Sequence, residues 1–210
     1  EVSFFLDEIA FSLEDQTTQP IQDHVEMGFS GSSGNPDFDS LINKLNNIEY
    51  YGHLFELVYG DTIITENIIQ LGLAQFVRSI RSFDSKFDSG RAQVSNINSA
   101  FPNFTTLENE GKDLFLTMPG MGGAGCVRCH GGEEFSIIPS TENNGVIGVA
   151  GDTTAIDLNN TKAPSLRDLV NKDGIENGPF MHDGSLKTLM DVVNHYNDLN
   201  DTSSINTNLD

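Results

Sequence analysis

Two cysteines three residues apart, followed at once by a histidine, stand at Cys126-Val127-Arg128-Cys129-His130. Thiols at that spacing lie one helical turn apart. They can add to the two vinyl groups of one porphyrin, which leaves the next side chain beneath the iron. The stretch is therefore the attachment signature of a c-type haem, with Cys126 and Cys129 as covalent anchors and His130 as the proximal ligand through an imidazole nitrogen. A zinc site would need further cysteine or histidine close by, and the chain has 2 cysteines in all. Just ahead lie Pro119 and the glycines Gly120, Gly122, Gly123 and Gly125, expected to let the backbone approach a flat ring closely.

An iron held by one histidine needs a second axial ligand or an open position. The other histidines are His24, His53, His182 and His195, and the methionines are Met27, Met118, Met121, Met181 and Met190. A final apolar stripe carries Leu186, Leu189, Met190, Val193 and Tyr196. At helical periodicity Met190 and Tyr196 are roughly 120° apart on that face, so one of them could face an iron, but not both. Spacing alone favours Met190, since methionine is common in electron-transfer cytochromes and tyrosine less usual. Plain core packing accounts for either residue.

The elements that must position these groups read as mostly α with long loops. Ser12 caps a first helix that Pro20 ends, and the Gly/Ser/Asn stretch 28–35 is a surface turn. Leu41, Ile42, Leu45 and Ile48 mark a second helix from Asp37, and Tyr51 to Tyr59 a third. Thr65 caps the clearest one, whose stripe is Ile69, Leu73, Phe76, Val77 and Ile80, with Gln70, Arg78 and Arg81 pointing elsewhere. A polar segment, 82–107, reads as an interdomain connection. Glu108 to Met118 is helical and delivers the glycines to the cysteines. Residues 131–162 read as an extended loop, Pro164 opens a helix to Val170, and the last helix runs from Ser185 to about Asn197.

At 210 residues the chain has room for one large domain or two small ones, and 37% hydrophobic residues suffice for a core. Asp and Glu number 31 against 11 Lys and Arg, a formal charge of −20. That balance excludes nucleic-acid binding, which needs basic side chains against phosphates. It suits encounter with a basic electron-transfer partner, and equally a solvated acidic surface. No apolar run is long enough to cross a bilayer. The chain starts at Glu1, so the expectation is a processed product or a fragment. Haem c attachment implies export, hence a periplasmic or extracytoplasmic location.

Several motifs in order resemble the bacterial di-haem cytochrome c peroxidase and MauG-type family, from Phe5 to about Asn197. They are Ser12-Leu13-Glu14-Asp15-Gln16, Pro20-Ile21 and Glu26-Met27, then Ala74 to Ile80 with Ser85-Lys86-Phe87-Asp88, and Gly111-Lys112-Asp113-Leu114-Phe115. Ala163-Pro164-Ser165-Leu166-Arg167 and Pro179-Phe180-Met181-His182-Asp183-Gly184 follow the haem motif. The resemblance implies two cytochrome c-like haem domains, with a peroxide site at the N-terminal haem and a C-terminal haem that feeds it. The motif present here matches the C-terminal one. On that basis residues 1–30 are a distal-pocket segment of the N-terminal domain, 31–107 a helical and connecting region, and 108–210 the C-terminal haem domain with an incomplete C-terminus.

Further implications rest on the same resemblance. Glu26 matches the family's acid–base group over the peroxide, Gln16 orients the pocket, and Pro20 lies between them. Fourteen residues on from His182 stands Tyr196, where peroxidases of the family place Met and MauG-type members Tyr; this makes Tyr196 the axial candidate in place of Met190. A calcium ion is implied, held partly by backbone carbonyls matching Asn177 and Pro179, while His182 anchors its loop or a propionate. The substrate would be hydrogen peroxide and the electron donor a small cytochrome c or cupredoxin; a homodimer or larger assembly is open. The alternatives are a MauG-like oxidase acting through high-valent haem and a non-catalytic electron-transfer subunit. The first haem motif and the helix after Asn197 are missing from the pattern, so a fragment of a longer chain is expected. The family's bridging tryptophan is Leu6 here, in a chain with no Trp.

Overall fold

A computed structural model of the chain describes residues 4, 9–136 and 143–198. Leu6 lies outside them. The described residues are mostly helical: α1 (Leu13–Gln22), α2 (Phe38–Asn46), α3 (Glu49–Tyr59), α4 (Glu66–Ser79), α5 (Lys86–Arg91), α6 (Thr106–Leu116) and α7 (Leu189–Asp198), with two short strands, β1 (Gly148–Val149) and β2 (Asp152–Ile156). The chain divides into two compact units, Val2–Arg81 and Ser82–Asp210, the latter together with Glu1.

In the first unit the Ser12 hydroxyl accepts the Asp15 N–H and starts α1, with Glu14 and Asp15 complementing the helix dipole. Pro20 does not end the helix. It lies inside it, where the lost N–H costs only one rung, and α1 continues to Gln22. The chain turns at Asp23, whose carboxylate accepts the N–H groups of Val25 (2.7 Å) and Glu26 (3.1 Å). Met27 and Phe29 donate back to the Pro20 and Ile21 carbonyls, which closes the helix end.

α1 packs on α4 through a polar row. Gln70 donates to the buried Thr18 hydroxyl at 2.9 Å, Ala74 is fully buried, and Arg78 meets Glu14 with two bonds of 2.7 and 3.1 Å. The expected apolar stripe is thus not the packed face: Ile69 is buried, but Leu73, Phe76, Val77 and Ile80 are exposed, Phe76 by 65%. Periodicity finds an apolar face without saying what covers it, and here the i, i+4, i+8 row of Gln70, Ala74 and Arg78 meets α1. The core is Ile21, Phe38, Ile64 and Ile69, with Phe29, Leu41, Ile42, Leu45, Tyr51 and Phe55 packed around it.

In the second unit the polar segment 82–107 is more than a connection. It contains α5, started by a capping box between Ser85 and Asp88, and Phe101, which is 1% exposed. Phe101 lies 5.3 Å from Phe87 and 5.1 Å from Phe104, ring centre to ring centre. The low hydrophobic content of the segment hides this, because its buried side chain is a single large one, Phe101. α6 begins with a second capping box, Thr105 with Glu108. Lys112, buried on α6, donates to the Ile97 carbonyl and to Asp113, both at 2.9 Å.

Two further readings need correction. Residues 164–170 form no helix: the Arg167 N–H is taken by Ser165 Oγ at 3.1 Å, and Asp168 has φ 60, which a right-handed helix excludes. The last helix starts later than Ser185, because the Phe180–Leu186 bridge keeps Leu186 extended. The Asp191 carboxylate then caps α7 by accepting from Lys187 and Thr188.

Candidate haem centre and distal-pocket residues

The attachment motif follows α6 directly. The chain leaves α6 at Thr117, makes a 3-10 turn over Pro119–Met121 and a second over Cys126–Arg128. Cys129 and His130 both donate their N–H groups to the Cys126 carbonyl, at 3.2 and 2.9 Å. One turn therefore carries both thiols and presents the imidazole next to them. The glycines serve this loop differently from the expectation. A Cβ on Gly123 would collide with the Thr117 carbonyl, and one on Gly125 would come within 2.6 Å of Pro119. Around Gly120 and Gly122 there is open space. Two of the four glycines thus fold the loop onto its own helix end.

His130 Nδ1 donates to the Phe135 carbonyl at 3.0 Å. In the neutral ring this places the lone pair on Nε2, the nitrogen a metal would take. Burial lowers the pKa of His130, and the Phe135 and Pro164 carbonyls oppose that shift. Burial also pushes the Cys126 thiol up. The Tyr196 phenol is raised to about 12, by burial first and then by the charges of Cys129 and Cys126. Tyr196 stands on α7, with 42% of the residue exposed. Met190, on the same helix, is 64% exposed. Two thiols on one turn with an imidazole directly after them fit the donor set of a covalently held haem.

Gln16 and Pro20 share one side of α1, four residues apart, and both are half-buried. Glu26 is exposed on the turn that follows. Its backbone is fixed by the Asp23 carboxylate, and the next N–H, of Met27, bonds to the Pro20 carbonyl at 3.2 Å. The three residues thus belong to one helix and its closing turn. Asn177 and Pro179 lie on a strip between the bridges Val170–Glu176 and Phe180–Leu186. Asn177 donates its N–H to the Leu169 carbonyl at 2.8 Å and its amide to the Asp168 carbonyl at 2.7 Å. His182 bonds the Gly148 carbonyl through Nε2 at 3.1 Å, which anchors its loop to β1.

The residue that sequence reasoning missed is Phe135. It adopts φ 53, a left-handed conformation that no residue type announces for phenylalanine. Only its position, five residues after His130, hinted at a local acceptor.

The family model described as di-haem cytochrome c peroxidase matches residues 1–95. The chain is 32% identical over 197 residues to the methylamine utilization protein MauG of Methylophilus methylotrophus, covering 89% of this chain and 51% of that protein. It is 26% identical over 199 residues to cytochrome c551 peroxidase of Nitrosomonas europaea, covering 90% of this chain and 52% of that one. The crystal structure of a MauG-like protein associated with microbial copper homeostasis shares the fold, with a TM-score of 0.63 at 22% identity over 91% of this chain and 57% of that chain. The chain spans about half the length of the curated relatives it matches. Along nine-tenths of its residues the chain is thus similar to both MauG and cytochrome c551 peroxidase, and its first 95 residues match the family of di-haem cytochrome c peroxidases.

Proposed function

We propose that the protein reduces hydrogen peroxide to water, with electrons relayed through a haem c attached at Cys126 and Cys129 and ligated by His130 and Tyr196. The reaction consumes two electrons and two protons per peroxide and yields two waters. Heterolysis moves a proton from one peroxide oxygen to the other as the O–O bond breaks, which one positioned carboxylate can do. Glu26 fills that role and the Gln16 amide orients the peroxide. The observation that carries this reading is the closed turn after α1, where Asp23 and the Pro20 carbonyl fix the backbone on either side of Glu26. A haem held by Cys126, Cys129, His130 and Tyr196 would relay the donor's electrons; Glu26 and Gln16 carry the proton transfer.

On the same reading residues 1–30 belong to the peroxidatic domain, 31–107 are a helical and connecting region whose part from Ser82 lies in the second unit, and 108–210 form a cytochrome c-like domain. A calcium ion takes the Asn177 and Pro179 carbonyls. The −20 charge suits a small cytochrome c or cupredoxin donor with a basic face, in a periplasmic setting. Among the described residues no helix is long and apolar enough to cross a membrane.

In the intact haem-loaded protein, Glu26→Gln is expected to lower kcat/KM for peroxide by about 10²–10⁴-fold with haem content unchanged. Unaltered turnover would remove Glu26 from the mechanism. A second reading, an oxidase that modifies a protein or small molecule, draws support from Tyr196, which stands where MauG-type members place Tyr, and from the similarity to MauG. Stoichiometric peroxide without a donor then oxidises that target instead of being consumed idly.

A further inference from the structure

We propose that Arg167 is a positioning residue for His130: it holds the strip Glu133–Phe135 so that the Phe135 carbonyl stays on the imidazole. The inference rests on reading His130 as the proximal ligand, and goes beyond it in naming what fixes the ring's bond to Phe135, one of the two carbonyls, with Pro164, that it meets.

Three consecutive carbonyls are taken by three side chains. Arg167 donates to Glu133 O from Nε at 3.0 Å and from Nη2 at 2.6 Å. Ser165 Oγ donates to Glu134 O at 2.6 Å. His130 Nδ1 donates to Phe135 O at 3.0 Å. The guanidinium that organises this row is itself fixed. Its side chain is 9% exposed, it bonds the Ser82 carbonyl and both oxygens of Asp88, and it stacks over the Phe83 ring at 4.0 Å from the ring centre.

The strip needs holding because Phe135 sits at φ 53. A bulky residue there relaxes to negative φ unless its surroundings forbid it, and such a rotation would swing its carbonyl away from Nδ1. The Phe135 ring is packed edge-on against Phe87 (4.7 Å) and Phe115 (6.0 Å). Those contacts hold the ring, while Arg167 and Ser165 hold the backbone just before it. A carbonyl that accepts Nδ1–H makes the imidazole a more basic ligand and favours ferric over ferrous iron.

The test uses the intact haem-loaded protein and reads the ratio of reduced to oxidised haem at Cys126–His130 at one fixed solution potential, with the ferric EPR signal alongside. Arg167→Met is expected to raise the ratio about tenfold and to alter the EPR anisotropy. Arg167→Lys, which keeps a charge opposite Asp88 without the two-pronged grip on Glu133 O, is expected in between. Glu14→Gln, which breaks the Arg78 pair in the other unit, is expected to leave the ratio unchanged. A wild-type ratio in Arg167→Met overturns the proposal. Should that variant not accumulate with haem, Ser165→Ala and Asp88→Asn are read in the same way; a shift in the same direction supports the proposal and an unchanged ratio in both overturns it. A wild-type haem without histidine ligation in magnetic circular dichroism overturns the reading of His130, independently of any variant.

Discussion

Arg167 and Asp88 meet fork to fork, Nη2 to Oδ1 at 2.9 Å and Nη1 to Oδ2 at 3.1 Å, across 79 residues of chain. Such bidentate pairs are the strong form of charge-assisted hydrogen bond. The pair ties the first turn of α5 to the turn at residues 164–170.

That geometry sets an acid limit. The Arg167 guanidinium, helped by Ser85, holds the Asp88 carboxyl down at about 2, against about 3.9 in an unfolded chain. With the folded value depressed, the stabilisation is complete above about pH 4 and is lost as pH falls towards about 2, in all about 2 kcal/mol. Urea midpoints at about pH 6 and about pH 2.5 should fall less for Asp88→Asn than for the wild type. Equal falls would show that the pair contributes nothing to the acid limb.

Two glycines within helices should respond in opposite directions to alanine. A Cβ on Gly90 of α5 would meet the Phe101 ring at 2.5 and 2.9 Å, so Gly90→Ala should cost about 1–3 kcal/mol. Gly52 of α3 has open space around the same position, so Gly52→Ala should gain about 0.5–1 kcal/mol. Chemical denaturation of the two variants measures both signs.

Covalent attachment through both thiols predicts a graded loss. Cys126→Ala and Cys129→Ala should each leave haem bound through one thioether, and the double variant should release it to acid–acetone extraction. Haem staining of denaturing gels reads the outcome. Staining that survives in the double variant would rule out attachment at these cysteines.

The axial position separates two side chains on α7. Tyr196→Phe keeps the ring and removes only the hydroxyl, and should change the ferric absorption spectrum of the attached haem. Met190→Leu, at an exposed position, should leave that spectrum as it was. The reverse pattern would transfer the ligand role to Met190.

The helices of the first unit were legible because their caps are local chemistry: Ser12, Asp37 and Thr65 each accept the N–H expected of an N-cap. The haem motif was legible for the same reason, being five consecutive residues. What escaped depends on distant partners. Nothing near Gln70 announces that Thr18 will turn it inwards, so the packed face of α4 was misread. Nothing local to Pro164 announces that Arg167 will be drawn to Asp88 and Glu133, so a turn was taken for a helix. Pro20 was misjudged through overweighting one missing N–H, when Asp23 and the returning Met27 and Phe29 supply the true end.

α5 has six residues, far short of the dozen or so that an isolated helix needs in water. Its capping acid, Asp88, is also the partner of Arg167, and its first residue, Lys86, grips Glu108, the capping acid of α6, at 2.6 and 2.7 Å. The groups that start these helices are thus the groups that dock them, so secondary and tertiary structure arise here in one event. Amide hydrogens of α5, of the first turn of α6 and of the 133–135 strip should exchange with solvent at a common rate, through a single cooperative opening.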